Sequence, residues 1–226
     1  MRQHMDDLKN YDDKLIYIII FNVAVTLLLN NPTTFIANNE IISIILTVPV
    51  LYWPIYIINN LFSREWKYKI LYPKNKSHRF AYGIFTRLKN QNIDYSSELI
   101  DVDLILKNHE KPKTEIDEDN LWYRIYNKHR YDNKIYQQNR QFLFCRDSMA
   151  TVIIITPIFS ILVELFGFSS LILTIVIVGI FEFIIFRKLA IKQNEILVLS
   201  VLQEETDCLR KKLKHTVISN YELKNT

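Results

Sequence analysis

The sequence predicts an all-α membrane protein with four transmembrane helices in two hairpins, a small cytoplasmic domain between the hairpins, and helical extensions of spans three and four. Three observations predict it. First, Met149 to Phe166 and Leu171 to Phe186 are apolar runs separated by Gly167, Phe168, Ser169 and Ser170. Each has roughly 16 to 18 residues, and at about 1.5 Å of rise per residue each reaches about 24 to 27 Å, near the thickness of a bilayer's hydrocarbon core. Second, polar residues interrupt the two runs only at Thr151, Thr156, Ser160, Glu164, Thr174 and Glu182, whereas a soluble helix repeats a polar face every third or fourth position. Third, Lys and Arg are absent from the short turns 30–40 and 167–170 and abundant in the longer connections.

Taken in order, residues 1–14 carry four aspartates and three basic residues, which is not the basic start of a secretory signal, so they read as a cytoplasmic N-terminus. Residues 15–61 read as the first hairpin. Leu15 to Leu29 is mostly apolar and stops at Asn30, Asn31 and Pro32, because the residue before a proline avoids the α conformation. Ile41 to Ile58 follows after eleven residues, with Tyr52, Trp53 and Tyr56 at the far end where amphipathic rings favour the interface.

Residues 62–147 form the basic cytoplasmic domain. From Ser63 to Asp147 there are 17 Lys or Arg against 12 Asp or Glu, and from Arg187 onward eight against five, so both segments belong on the side that retains positive charge. The expected location is a prokaryotic inner membrane, multi-pass, with both termini and the central domain cytoplasmic. Arg64 to Lys69 reads as juxtamembrane anchoring and attraction to anionic lipid. Leu99 to Leu104 alternates partly like a strand, while Ser96, Ser97 and Glu98 offer a helix start; a helix is expected. Charged residues 107–120, with Pro112, read as an exposed loop. From Leu121 helical spacing resumes, and with no Pro or Gly before Pro157 the helix is expected to run straight into the third span, kinking at Pro157. The second hairpin is 148–187. In the tail, 188–226, Leu199, Leu202, Thr206, Leu209 and Leu213 recur at spacings of three and four, a coiled-coil-like stripe.

Composition excludes several kinds of chemistry. Three glycines leave no P-loop or dinucleotide fingerprint, and Cys145 and Cys208 are far apart with no CxxC, so no cofactor, zinc site or disulfide framework is expected. Arg124 and His129 have the R-x4-H spacing of HEPN ribonucleases, but Ile125 follows the arginine and chance supplies such a pair in a basic segment. No enzyme is expected.

Two groups of residues remain as candidates. Asn22, Glu164 and Glu182 are polar groups within spans, costly in hydrocarbon and therefore suspects for function; Asn22 suits interhelical hydrogen bonding. Glu182 is open to pore lining, snorkelling or a local contact with Lys or Arg. Arg124, Lys128, Arg130, Lys134 and Arg140, interleaved with tyrosines, could pair phosphates and stack a base, or form a solvated helix face.

The four spans, together with the run from Trp122 to Tyr126 and on through Phe142 to Asp147 into the third span, resemble the small transmembrane effectors of prokaryotic antiphage systems. These occur in CBASS, type III CRISPR and short-Argonaute operons, and the nearest layout is that of the four-span effectors beside SMODS-type nucleotide cyclases. The resemblance is architectural. It implies a homo-oligomer in the lipid bilayer that permeabilises or depolarises the membrane in abortive infection, triggered by a cyclic oligonucleotide or a defence-system partner protein. The alternative is a non-enzymatic membrane scaffold or subunit whose basic face binds a partner protein or anionic lipid.

Overall fold

The computed structural model describes residues 15–18, 20–22, 24, 62–73, 80–90, 99–165 and 169–224. Among them the chain is mostly helical and has no strand. The expected second span, 41–58, and the turn 30–40 lie outside the described residues. Helices α5 (Asn133–Leu165) and α6 (Ile172–Lys224) are long and apolar enough to cross a membrane. A 3-10 turn, Ser169–Leu171, precedes α6. The chain divides into two compact units, the first made of 1–73 with 140–193 and the second of 74–139 with 194–226.

In the first unit, α1 (Arg64–Leu71) starts because the Ser63 hydroxyl accepts from the amide of Trp66 at 3.2 Å. Its last carbonyls, which a helix leaves without partners, accept from Arg187: Ile70 at 3.3 Å and Leu71 at 3.1 Å. Three hydroxyls along α5 are satisfied by its own backbone. The hydroxyls of Thr151, Thr156 and Ser160 donate to the carbonyls of Asp147, Val152 and Thr156 at 2.8 to 2.9 Å. Thr156 also sets how closely α5 meets α6, since a Cβ at Gly179 would lie 2.3 Å from its Oγ1. Near the N-terminus, Leu15 and Ile18 are buried with Val152 of α5, and Phe144, Phe183 and Phe186 pack around them.

In the second unit, α2 (Ile84–Lys89) follows Gly83, whose φ of 64° lies in the left-handed region that glycine adopts at least cost. The expected helix near residue 100 forms as α3 (Val102–Asn108), capped by Asp101, whose Oδ1 accepts from Leu104 N at 2.8 Å. The strand alternative for 99–104 is overturned.

The exposed loop expected over 107–120 is shorter than its composition suggests, because α4 (Glu115–His129) already begins at Glu115. Thr114 and Asp117 form a reciprocal capping box there: the Thr114 hydroxyl accepts from Asp117 N at 3.2 Å, and Asp117 Oδ2 from Thr114 N at 3.0 Å. The uninterrupted helix expected from Leu121 into the third span is also corrected. The chain breaks at 130–132 without Pro or Gly, where Asp132 N bonds to the His129 carbonyl at 2.9 Å and Asp132 Oδ2 faces His129 Nδ1 at 3.0 Å. The helix continues through Pro157.

Within this unit α4 and the tail of α6 run parallel in a fixed register. Trp122 Nε1 donates to the Val198 carbonyl at 3.2 Å, and His129 meets Glu205 at the same offset of 76 positions. The coiled-coil-like stripe is spent here: Leu199, Leu202, Thr206 and Leu209 are buried, and only Leu213 is exposed. Thr206 is at home in that stripe because its hydroxyl donates to Leu202 O at 2.9 Å and accepts from Asp101 N at 3.2 Å.

Candidate functional site

In the second unit several titratable side chains converge on one carboxylate. Glu205 is 1% exposed, and three side chains from two other parts of the unit reach it. His109 Nε2 is 3.0 Å from Oε1, His129 Nε2 is 2.6 Å from Oε2, and Lys128 Nζ donates to Oε2. The second ring nitrogen of His129 faces Asp132, so that histidine lies between two carboxylates. Burial works to raise the Glu205 carboxyl, but the hydrogen bonds from Lys128, His129 and His109 outweigh it and hold the group below its ordinary range. An acid this buried is tolerated because each oxygen has a charged or polar donor.

The basic residues singled out from the sequence do not form one patch. Arg124 is exposed, whereas His129, five positions on, is buried; at about 100° per residue their side chains leave the helix about 140° apart. Lys128 is committed to Glu205. The Arg130 guanidinium lies 4.8 Å from the ring centroid of Tyr131, and Lys134 donates to Gln203 Oε1 at 3.3 Å. Arg140 belongs to the other unit. Of the interleaved tyrosines, Tyr123 and Tyr131 are exposed, while Tyr126 is half-buried, stacked on Trp122 at 5.5 Å and accepting from Asn139 at 2.9 Å.

In the first unit the polar residues of the expected spans fall differently. Asn22 and Glu182, 4% and 6% exposed, meet directly, with Asn22 Nδ2 donating to Glu182 Oε2 at 2.6 Å and to the Ile18 carbonyl at 3.0 Å. Asn22 therefore makes the interhelical bond expected of it, and it is Asn22 rather than a local Lys or Arg that answers Glu182. Glu182 lines an apolar groove of about 710 Å³ whose walls include Tyr17, Phe21, Phe144 and Phe181. Glu164 is exposed, next to the end of α5.

The same unit holds an ionic cluster that sequence reasoning missed. Asp147 Oδ1 accepts from Lys67 Nζ at 3.0 Å and from Arg146 Nε at 3.0 Å, with all three residues buried. The Arg146 guanidinium also lies 5.8 Å and 5.9 Å from the ring centroids of Tyr68 and Phe142. Lys67 therefore faces protein, not lipid, because Asp147 sits at the start of the apolar part of α5. The signal available in the sequence was an acidic residue beside an arginine immediately before an expected span.

Among the described residues no group of three or more His, Cys, Asp or Glu is arranged to hold a metal ion. No family model matches the chain, and neither a curated protein nor a solved structure matches it.

Proposed function

We propose that the chain is an integral membrane effector whose second unit receives a signal and whose membrane helices, assembled from several copies, permeabilise or depolarise a prokaryotic inner membrane. The observation that carries the membrane part is the outward face of α6. Leu173, Ile177, Ile180, Phe181 and Ile184 are each 46% to 70% exposed, forming an apolar stripe that water would not favour and hydrocarbon would. In this reading the chain crosses four times, with both termini and the central domain cytoplasmic, as the distribution of Lys and Arg supports. The effector part is supported by the architectural resemblance to antiphage effectors and by the basic character of 62–147. A nucleotide signal or a partner protein is the trigger.

The test is expression in bacterial cells together with the genes that neighbour it, followed by phage infection. A potential-sensitive dye and an impermeant DNA stain should report depolarisation and stain entry before lysis. Protein that stays in the membrane fraction while both dyes remain silent supports the rival reading, a non-enzymatic scaffold that binds a partner protein or anionic lipid.

A further inference from the structure

A cleft of about 470 Å³ opens in the second unit between α2, α3 and the segment before α4. Its rim carries three ammonium groups, Lys89 from α2, Lys107 from α3 and Lys111 from the connecting segment, all on exposed residues. One carboxylate already sits among them: Asp103 Oδ1 lies 2.7 Å from Lys89 Nζ. Hydrogen bonding and charge from Lys89, aided by the charge of Lys111, hold the Asp103 carboxyl below its ordinary range, and Lys89, Asp103 and Lys111 line the same cleft. Asp103 is 86% exposed and can swing into solvent. Lys107 has no hydrogen bond or ion pair among the described residues.

The remaining acid of the cleft is not available to neutralise these lysines. Glu118 is buried, and its carboxylate accepts from the amides of Phe85 and Thr86 at 2.8 and 3.1 Å and from the Thr86 hydroxyl at 2.5 Å. Its charge is thus compensated by the start of α2, and its position is fixed. Leu106 and Pro112, both half-buried, add an apolar wall. The volume falls in the range of about 300 to 1,000 Å³ usual for small-molecule sites.

We propose that this cleft binds a small phosphate-bearing organic molecule of mononucleotide size, with its phosphates between Lys89, Lys107 and Lys111 and its ring against Leu106 and Pro112. The phosphate displaces the Asp103 carboxylate from Lys89, exchanging one anion for another of higher charge at the same point. Neither Arg124 nor Lys134 lines this cleft. Its role as the trigger rests on the function proposed above; the binding itself does not.

Purified full-length protein in mild detergent is titrated with the fluorescent nucleotide TNP-ATP and displaced with ATP. Saturable binding is expected, weakened at least tenfold by K107E with K111E and unchanged by K113E, which alters the same connecting segment outside the cleft. Circular dichroism checks that each variant is folded, and K107Q with K111Q replaces the double reversal if it is not. No saturable binding, or binding that survives the double variant, overturns the site. Tripolyphosphate displacing the probe as well as ATP overturns the ring-binding wall. Stain entry in cells separates this site from the effector reading: lost binding with undiminished entry removes the cleft as the trigger and leaves it a ligand site.

Discussion

Nε2 of His129 lies 2.6 Å from Oε2 of Glu205, joining the end of α4 to the tail of α6 across 76 positions of sequence. Lys128 and His109 reach the same carboxylate, so this one acid holds α4, the end of α3 and α6 together. Removing it leaves three donors facing each other without an acceptor. Glu205→Ala is therefore expected to destabilise the second unit by about 3 to 5 kcal/mol, the range for breaking a buried ion pair from one side. Thermal unfolding of the full-length protein in detergent, followed by tryptophan fluorescence because Trp122 bonds to Val198 in the same unit, measures it. A melting temperature within a degree of wild type would refute the central role of Glu205.

The pH dependence follows from the same residue. The folded carboxyl is held below its ordinary value, so its stabilisation is fully present above the unfolded pKa, near 4.3 for glutamate, and is lost as pH falls through the lower folded value. Stability should thus decline with acid from about pH 4.3 downward. Glu205→Gln should show a shallower decline in that window, and parallel curves for the two proteins would assign the acid sensitivity to other groups.

Asn22 and Glu182 are coupled in the first unit, and their contribution is separable by a double-mutant cycle. Asn22→Leu leaves a buried acid without its amide donor, Glu182→Leu leaves the amide without its acceptor, and the double replacement removes both needs. If both helices lie in the membrane as proposed, a coupling of about 0.5 to 2 kcal/mol is expected for this hydrogen bond. Simple additivity of the two single variants in thermal unfolding would argue against the contact.

Gly179 is replaceable only if Thr156 gives way. An added Cβ would meet the Thr156 hydroxyl at 2.3 Å and its methyl at 2.8 Å, whereas the Thr156 Cβ is 3.1 Å away. Gly179→Ala alone should destabilise the pairing of α5 with α6 by about 1 to 3 kcal/mol, as overpacking does. Combining it with Thr156→Ala should restore most of the loss, measured as recovery of the melting temperature in detergent. A combined variant as unstable as Gly179→Ala would show that backbone, not the threonine, sets the spacing.

Topology is checked with cysteines, after Cys145 and Cys208 are replaced by serine. A cysteine at Thr34 is expected to react with an impermeant thiol reagent in intact cells, and one at Asn108 only after permeabilisation. The reverse pattern would place the basic segment outside.

How much of this was legible in the sequence depends on the range of the interaction. Helical structure and the two long apolar helices were written in local patterns: uninterrupted apolar runs, a Gly-Phe-Ser-Ser break and the absence of Pro or Gly from Arg187 to Lys214. The start of α4 was equally local, since Thr114 and Asp117 have capping-box spacing, but the charge and the proline around them read as loop. The break at 130–132 has no Pro or Gly; its local signal is Asp132, an N-cap residue whose carbonyl accepts from Tyr136 N at 2.8 Å, and it is completed by Asp132 folding back on His129 while His129 is held by Glu205 on another helix. The same holds for Lys67, which is basic by sequence and buried by tertiary contact with Asp147. Glu182 acquired its partner only when Asn22 came within 2.6 Å across 160 positions. A sequence displays the cost of a buried charge, but the residue that offsets it comes from elsewhere in the chain, so only the tertiary structure decided which acids and bases were paired.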